Sequence, residues 1–229
     1  MDIKILYEDQ DIIVCIKPRG ILSQADESGN ENMCSVLQRH LEAQKKTPYV
    51  AVIHRLDVGV PGVMVYAVSK KAAAKLSSQI SDKEICTKKY LAAVHGTFEE
   101  KSGNMRDLLF KDTRLGKSYV VNSTRKGVKE ASLDYEVLEE QNELSLVKVT
   151  LHTGRTHQIR VQFASRAHSL TGDKKYGARD EYRSIGLFSH YLSFPHPTTG
   201  KVMTFSAFPE KDDSAFSVFE YFDNKKTEA

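Results

Sequence analysis

The sequence contains few cysteines and none of the common cofactor-binding motifs. Three cysteines, Cys15, Cys34 and Cys86, lie far apart among 229 residues. They are too few and too scattered for a disulfide framework, and no Cys-x-x-Cys pair offers a zinc site. The nucleotide cradles Gly-x-Gly-x-x-Gly and Gly-x-x-x-x-Gly-Lys are absent, and so are His-Glu-x-x-His and Gly-x-Ser-x-Gly. We therefore expect no cofactor and no metal, so that any catalysis would come from side chains alone.

Long apolar runs are missing as well. No stretch approaches the ~20 residues that cross a bilayer, and the acidic, strand-like N-terminus does not have the pattern of a signal peptide. These features predict a soluble cytoplasmic protein without a membrane partner. The net charge of +3, from 33 basic and 30 acidic residues, permits a polyanionic partner without requiring one.

Apolar periodicity predicts an α+β fold with a mixed, largely antiparallel central sheet flanked by helices and loops. No linker is long enough to separate independent domains, so we expect a single domain over residues 1–229. The predicted strands cover 3–7, 11–17, 62–69, 87–96, 118–123, 131–139, 144–152, 187–194 and 201–207. The predicted helices cover 31–46, 70–81, 155–166 and 214–222, and the polar segment 100–118 is predicted to be a loop.

Two segments carry charged residues in positions where chemistry is plausible. The first, Ile53–Asp57, places a charged cluster between apolar segments, which is costly unless the charges are paired or functional. A structural ion pair between Asp57 and a nearby arginine would also explain it. The second, Leu151–Arg160, is predicted to be a strand end, a glycine turn and a helix start, which suits an anion. Solvated arginines at an ordinary helix start are the plainer explanation.

Taken together and in order, the motifs of this chain resemble the RluA family of RNA pseudouridine synthases. The resemblance covers nearly the whole chain, and the combination of motifs is far more specific than any one of them. The segments that carry it are Ile5–Leu22 with its Lys-Pro-x-Gly turn, His54-Arg55-Leu56-Asp57, Lys89–Gly96, Thr153–Arg160 (TGRTHQIR), Gly172–Gly177 (GDKKYG) and Phe194–Gly200.

One segment departs from the family pattern. After the aspartate, the family usually has a basic or polar residue followed by Asp-Thr-Ser-Gly, whereas this chain has Val58-Gly59-Val60-Pro61-Gly62. Three polar groups are thus missing beside Asp57, which bears on the geometry of the pocket and on contacts to the target backbone. The chain also begins directly at the catalytic domain, so we expect no N-terminal RNA-binding module.

The resemblance implies an isomerisation of uridine in rRNA or tRNA, which needs no cofactor because nothing is added or removed. It assigns catalysis to Asp57, Tyr90 and Arg155. Asp57 would act ionised, as a nucleophile or as the base that starts an elimination, and Arg155 would pair with it. Tyr90 would pack against the uracil and assist a later deprotonation, although an ordinary strand tyrosine is the plainer explanation.

The resemblance also implies a set of RNA-binding residues. Arg55 would fill the space that the flipped base vacates, because a planar guanidinium can stack and hold a phosphate. Ile159 would wall the pocket, unless it is plain core. The remaining predicted RNA contacts, each of which could also be structural or solvated, are His54, Arg160, Lys88, Lys89, Lys174, Lys175 and Arg179.

Two other functions stay open at this point. The altered stretch after Asp57 would fit an RNA-binding protein of the same fold with little or no activity. A phosphoester hydrolase could use an anion site at Gly154, although it would need a metal for which the sequence offers no clear ligands. In each reading we expect a monomer.

Overall fold

A computed structural model describes residues 3–27, 29–82, 84–210 and 215–225. The chain divides into two compact units, Met1–Lys88 with Ser189–Ala207 and Lys89–Phe188 with Phe208–Ala229. The chain passes from the first unit to the second within one strand, β5, and returns within another, β10. Each unit is described in turn below.

The first unit is built on strands whose continuous apolar runs are typical of burial on both faces of a sheet. Every residue of β4 is buried, as are all but one of β2. Antiparallel pairs join β1 to β2, β2 to β4, β3 to β4 and β10 to β11, and β10 meets β4 in parallel at Ser189 and Gly62. The strands are β1 (Ile5–Glu8), β2 (Ile12–Lys17), β3 (Ala51–Val52), β4 (Gly62–Ala67), β10 (Leu187–Pro195) and β11 (Val202–Ser206).

Two helices, α1 (Met33–Ala43) and α2 (Lys70–Gln79), complete the first unit. Each begins at a polar cap, because the side chains of Asn32 and Ser69 accept backbone N–H groups that the helix leaves unpaired. The apolar side of α2 packs on the sheet, where buried side chains of β2, β4 and β10 form one core with it. These elements were predicted from periodicity, and their bounds agree within a few residues.

The described residues of the second unit form five strands in the spatial order β5-β9-β8-β6-β7. The pairs β9–β8, β8–β6 and β6–β7 are antiparallel. A small core under the sheet contains Leu109, Ala131, Val161 and Tyr176. The elements are β5 (Thr87–His95), β6 (Ser102–Asp112), β7 (Lys117–Val121), β8 (Val128–Gln141), β9 (Leu144–Leu151), the helices α3 (Gln158–Ala164) and α4 (Tyr221–Lys225), and a 3₁₀ helix (Lys174–Tyr176).

The loop predicted over residues 100–118 is wrong, because β6 fills most of it. Polar side chains dominate this strand, and only Met105 and Leu109 are buried. Its backbone pairs with β8 over residues 102–110 and with β7 over residues 108–112. The polar composition of this segment suggested a loop. The strand was missed because it depends on pairing with other segments, which a local pattern does not contain.

The last helix is shorter than predicted. Residues 215–218 form turns and α4 begins only at Tyr221, where the Glu139 carboxylate accepts the backbone N–H groups of Glu220 and Tyr221. The three aromatic side chains on which the prediction rested, Phe216, Phe219 and Phe222, are nevertheless buried. Ser214, where the prediction started, lies outside the described residues.

The α+β class with a mixed, largely antiparallel sheet is confirmed. Among the described residues, no helix is long and apolar enough to span a membrane. The single catalytic domain, the monomer and the cytoplasmic location stay predictions.

Candidate active site

The loop between β3 and β4 carries Asp57 in the first unit. Ser23 fixes the residue before it, because the Ser23 hydroxyl accepts the Leu56 N–H at 3.1 Å and donates to the Leu56 carbonyl at 2.9 Å. Leu56 is buried, whereas Arg55 is exposed and Asp57 is half-buried. The Val60 N–H then donates to the Asp57 carbonyl at 3.0 Å, which closes a tight turn over residues 57–60.

This Asp57 turn is held by its backbone carbonyls. The Val58 carbonyl accepts the Gly20 N–H at 2.9 Å and the Lys17 ammonium at 3.2 Å. The Gly59 carbonyl accepts the Arg19 guanidinium at 2.7 Å. All three donors belong to the Lys-Pro-x-Gly turn, which therefore braces the Asp57 turn without using any of its side chains.

Lys17 places a positive charge inside the first unit. Its side chain has no exposed surface, and its Nζ also donates to the Pro18 carbonyl at 3.0 Å. Burial lowers the pKa of Lys17 to about 8, while the nearby negative charge of Asp57 favours the protonated form and Arg19 opposes it. Asp57 is thus electrostatically coupled to a buried cation of its own unit.

His54 is a structural acceptor in this unit. Its Nε2 accepts the Val65 N–H of β4 at 3.3 Å. Burial, and to a smaller extent the positive charge of Lys88, lower the pKa of His54 to about 3, so the imidazole is neutral. The ammonium of Lys88 donates to the Ile80 carbonyl at 2.7 Å and so caps the end of α2.

Gly62 is the one residue of the family's Asp-Thr-Ser-Gly run that this chain retains, and its backbone requires glycine. Its φ is +129°, and a Cβ there would lie 2.3 Å from the carbonyl oxygen of Ser189. The close approach lets β4 and β10 meet directly after the Asp57 turn.

In the second unit, Gln158 organises the turn that carries Arg155. The Gln158 amide oxygen accepts the Thr153 hydroxyl at 2.7 Å and the Arg155 N–H at 3.0 Å. Its amide nitrogen donates to the Ser132 carbonyl of β8 at 3.0 Å. This buried side chain therefore ties the 153–155 turn to the sheet.

The helix predicted to begin near Arg155 begins at Gln158 instead. His157 has a φ of +56°, a left-handed conformation that an α-helix does not continue through. Gly154 is therefore not at a helix start, so the helix-dipole argument for an anion site there does not apply. Arg155 is exposed, and its Nε donates to the Glu130 carbonyl at 2.8 Å.

Within the second unit, side chains of the GDKKYG segment contact side chains of the TGRTHQIR segment. Arg160 and Asp173 form a bidentate ion pair, with 2.7 Å and 2.9 Å contacts, and are only 5% and 1% exposed. The Tyr176 hydroxyl accepts the Ser118 N–H and contacts the His157 ring nitrogen at 2.9 Å. The Arg160 guanidinium lies 5.1 Å from the centre of the Tyr176 ring. The two motifs are thus joined by an ion pair, a hydrogen bond and a cation–π contact.

Comparison with known proteins adds a family to this geometry. The family model for RNA pseudouridylate synthase matches residues 11–165. The chain belongs to this family. It is 34% identical over 221 residues to the uncharacterized RNA pseudouridine synthase YlyB of Bacillus subtilis, a match that covers 94% of this chain and 71% of that protein. It is also 31% identical to ribosomal large subunit pseudouridine synthase D of Vibrio cholerae, over 93% of this chain and 69% of that one.

A solved structure of another protein has the same fold as this chain. The human RNA pseudouridylate synthase domain containing 4 superposes with a TM-score of 0.77 at 20% identity, covering 93% of this chain and 90% of the other. At this identity the likeness concerns the fold alone. The resemblance drawn from the sequence motifs is therefore confirmed at the level of family and fold.

The predicted catalytic residues of this chain lie in both units. Asp57 and Arg55 stand on the loop of the first unit. Tyr90, which is 7% exposed, and Lys89 lie on β5 in the second unit. Arg155 belongs to the same unit and lies on the 153–155 turn. The pairing of Asp57 with Arg155 stays a prediction.

The predicted RNA contacts divide by exposure. His54 and Arg160 have partners inside the fold, and Ile159 is buried in α3. Lys174, Lys175 and Arg179 are exposed, although Lys175 also donates to the Gly116 carbonyl at 3.1 Å. Direct binding of RNA by each of these residues stays a prediction.

Sequence analysis missed three residues that position the candidate catalytic groups. Ser23 and Lys17 brace the loop of Asp57, and Gln158 braces the turn of Arg155. Lys17 and Gln158 lie inside motifs that carried the resemblance, and this position in a motif could have identified them. Ser23 had none, because its partner is 33 residues away.

The Gln158 contacts lead to the first prediction. Replacing Gln158 by leucine leaves the groups it binds unsatisfied, which should lower the free energy of unfolding by about 1–3 kcal/mol. It should also lower kcat for pseudouridine formation by about tenfold, because Arg155 loses its fixed turn. Denaturant unfolding and turnover at saturating RNA measure the two effects.

Gln162→Leu is the matched control on the same helix. Gln162 is buried and donates to the Asp107 carboxylate at 2.6 Å, away from the 153–155 turn. The Gln162→Leu variant should lose about as much free energy of unfolding as Gln158→Leu and keep the turnover of the unaltered protein. Equal turnover in the two variants, measured where both are folded, would contradict the positioning role of Gln158.

Proposed function

We propose that this chain is an RNA pseudouridine synthase, an isomerase that converts uridines of ribosomal or transfer RNA to pseudouridine. One observation carries the proposal: the family match over residues 11–165 includes Asp57, Tyr90 and Arg155 in the expected order and motif context. The names of the relatives, which include ribosomal large subunit synthases, agree with an RNA substrate.

The proposed reaction conserves every atom of the nucleotide. The bond between the ribose and a ring nitrogen breaks, the uracil turns, and a bond from the same ribose carbon to a ring carbon forms. The ring carbon loses a proton, and the freed nitrogen ends with one. The balance closes without an oxidant, a reductant or a group donor.

Asp57 starts this reaction as a carboxylate, either as the nucleophile or as the base of an elimination. The buried ammonium of Lys17 places a positive charge close enough to Asp57 for the two charges to interact within the first unit.

In this mechanism Arg155 supplies a second positive charge to the reaction at Asp57. Its Nε bond to the Glu130 carbonyl engages one of the five N–H groups of a guanidinium. The other four belong to the terminal nitrogens, which suit a bidentate contact with a carboxylate.

Tyr90 and Arg55 act on the displaced base. The target uridine must leave its stack, which costs a few kcal/mol and least in loops. Arg55, an exposed arginine two residues from Asp57, takes the vacated position. The buried ring of Tyr90 stacks on the uracil.

The RNA backbone binds to a basic face of the second unit. We define this face as the segment 111–129 with Lys174 and Lys175. The segment contains six basic residues and one acidic residue, a net charge of +5 in a chain whose total is +3. The carboxylate of that one acid, Asp112, accepts the N–H groups of Arg114 and Leu115 and so belongs to the β6–β7 turn.

Contacts within the unit hold the parts of the basic face together. Lys175 donates to the Gly116 carbonyl, which attaches the 3₁₀ helix to the β6–β7 turn. The ammonium of Lys117 lies 5.1 Å from the centre of the Tyr176 ring. Such a concentration of exposed cations binds polyphosphate by releasing counterions, so binding weakens as salt rises.

The catalytic assignment is tested with Asp57→Asn. This variant should fold normally and lose about a thousandfold or more of pseudouridine formation, because the amide can act neither as nucleophile nor as base. Circular dichroism checks the fold, and site-resolved pseudouridine mapping of rRNA and tRNA from a strain lacking the gene measures activity. Glu42→Gln, which removes an exposed carboxylate of the same unit, should stay fully active.

A variant Asp57→Asn with the turnover of the unaltered protein would overturn the assignment. An unaltered protein that binds these RNAs and forms no pseudouridine would instead favour the RNA-binding protein of the same fold.

Arg155→Ala should lower kcat by about a hundredfold and leave the Kd for RNA within about threefold, because its charge acts on the reacting groups. Arg155→Lys should recover part of kcat, since it keeps the charge. Single-turnover rates at saturating RNA and filter binding separate the two effects. Weaker binding with normal turnover at saturation would contradict the proposed pairing with Asp57.

The basic face is tested by neutralising Lys111, Lys126 and Lys129 to glutamine. The slope of log Kd for RNA against log salt should fall by about 2–3, because each of the three lost phosphate contacts removes roughly 0.7–0.9 from it. The matched control neutralises Lys70, Lys71 and Lys75 on α2, which are also exposed. Equal slopes for the two triple variants would show that the RNA backbone does not bind this face.

A further inference from the structure

The Asp57 turn contains no polar side chain of its own beyond Asp57. The positions that follow it are Val58, Gly59, Val60 and Pro61, where the family usually has a basic or polar residue and then Asp-Thr-Ser. Val60 is buried, and Val58 is 43% exposed. Apart from the Val60 N–H that closes the turn, its fixation comes from donors outside it.

Three donors of the Lys-Pro-x-Gly turn supply that fixation, and they differ in how the family pattern specifies them. Lys17 is the lysine of the motif, and the Gly20 donor is a backbone N–H that any residue except proline would provide. Arg19 occupies the variable position of the motif. The motif therefore does not specify the Arg19 contact with the Gly59 carbonyl.

The Arg19 contact has the geometry of a strong bond. The 2.7 Å distance from its terminal nitrogen to the Gly59 oxygen is short for an N–H···O bond, as expected for a charged donor. Its acceptor belongs to the very residue at which the family usually carries an aspartate. The guanidinium therefore reaches the main chain at a position where this chain has lost a side chain.

We propose that Arg19 is a positioning residue of this chain, whose bond to the Gly59 carbonyl fixes the Asp57 turn in place of the polar side chains that the family carries at positions 59–61. The proposal rests on the proposed function of Asp57. It makes Arg19 necessary only as long as positions 59–61 are Gly-Val-Pro.

The test compares the effect of Arg19→Ala in two backgrounds. In the present sequence we expect kcat to fall about tenfold with KM for RNA within twofold, and Arg19→Lys to lie within about threefold of the original kcat, because an ammonium also donates to a carbonyl. In a chain carrying Gly59→Asp, Val60→Thr and Pro61→Ser, Arg19→Ala should change kcat less than twofold. Arg39→Ala, at an exposed arginine of α1, is the control.

Hydrogen exchange of the Val60 amide measures the bracing without substrate, because this N–H closes the Asp57 turn. We expect Arg19→Ala to speed this exchange at least tenfold while amides of α1 stay unchanged. This readout holds even if Asp57→Asn proves active, so a failure of the proposed function is distinguished from a failure of this proposal.

Two results would overturn the role of Arg19. The first is a raised KM with unchanged kcat, which would make Arg19 an RNA contact. The second is unchanged exchange at Val60 together with unchanged kcat. If the triple variant does not fold, the comparison of Arg19→Ala with Arg19→Lys and the exchange of Val60 decide the question.

Discussion

A charged amine without any solvent contact imposes the strongest constraint on the first unit. The ammonium of Lys17 would be costly to bury if it had no acceptors, and its acceptors are the carbonyls of Pro18 and Val58. Satisfying that charge therefore fixes two turns at once, the one that contains Lys17 and the one that presents Asp57. Because the acceptors are main-chain oxygens, the side chains after Asp57 can become apolar while the arrangement persists.

The second unit follows a similar rule with a different set of groups. Most charged and polar residues of its TGRTHQIR segment serve the fold: Arg160 is paired with Asp173, Gln158 binds the turn before α3, and His157 contacts Tyr176. Arg155 is the arginine of this segment that remains exposed. A conspicuous motif can thus be mostly scaffold, with one exposed charged residue.

The parts that sequence predicted well are those that local pattern determines. The buried runs of β2 and β4 and the capped helices α1 and α2 appeared where periodicity placed them, and the ordered motifs identified the family. The polar strand β6 was missed because it depends on partners that follow it in the chain. The start of α3 was misplaced because the left-handed conformation of His157 leaves no trace in composition.

Side-chain roles were harder to predict than elements. Arg160 and His54 were expected at the RNA because they lie in motifs that carry the family resemblance, and each also has a partner within the fold. Ser23 and Gln158 seemed ordinary because a hydroxyl or an amide acquires its role only from what lies within 3 Å of it. Contacts between residues distant in sequence set these roles, and a single sequence does not display them.

The neutral imidazole of His54 has a consequence for behaviour in mild acid. An unfolded chain would protonate this histidine at its ordinary pKa of 6.5, whereas the folded chain resists until about 3. Between these values the unfolded chain holds the extra proton, so acidification draws the equilibrium toward unfolding. A histidine that accepts a backbone N–H of β4 would then set part of the acid tolerance of the fold.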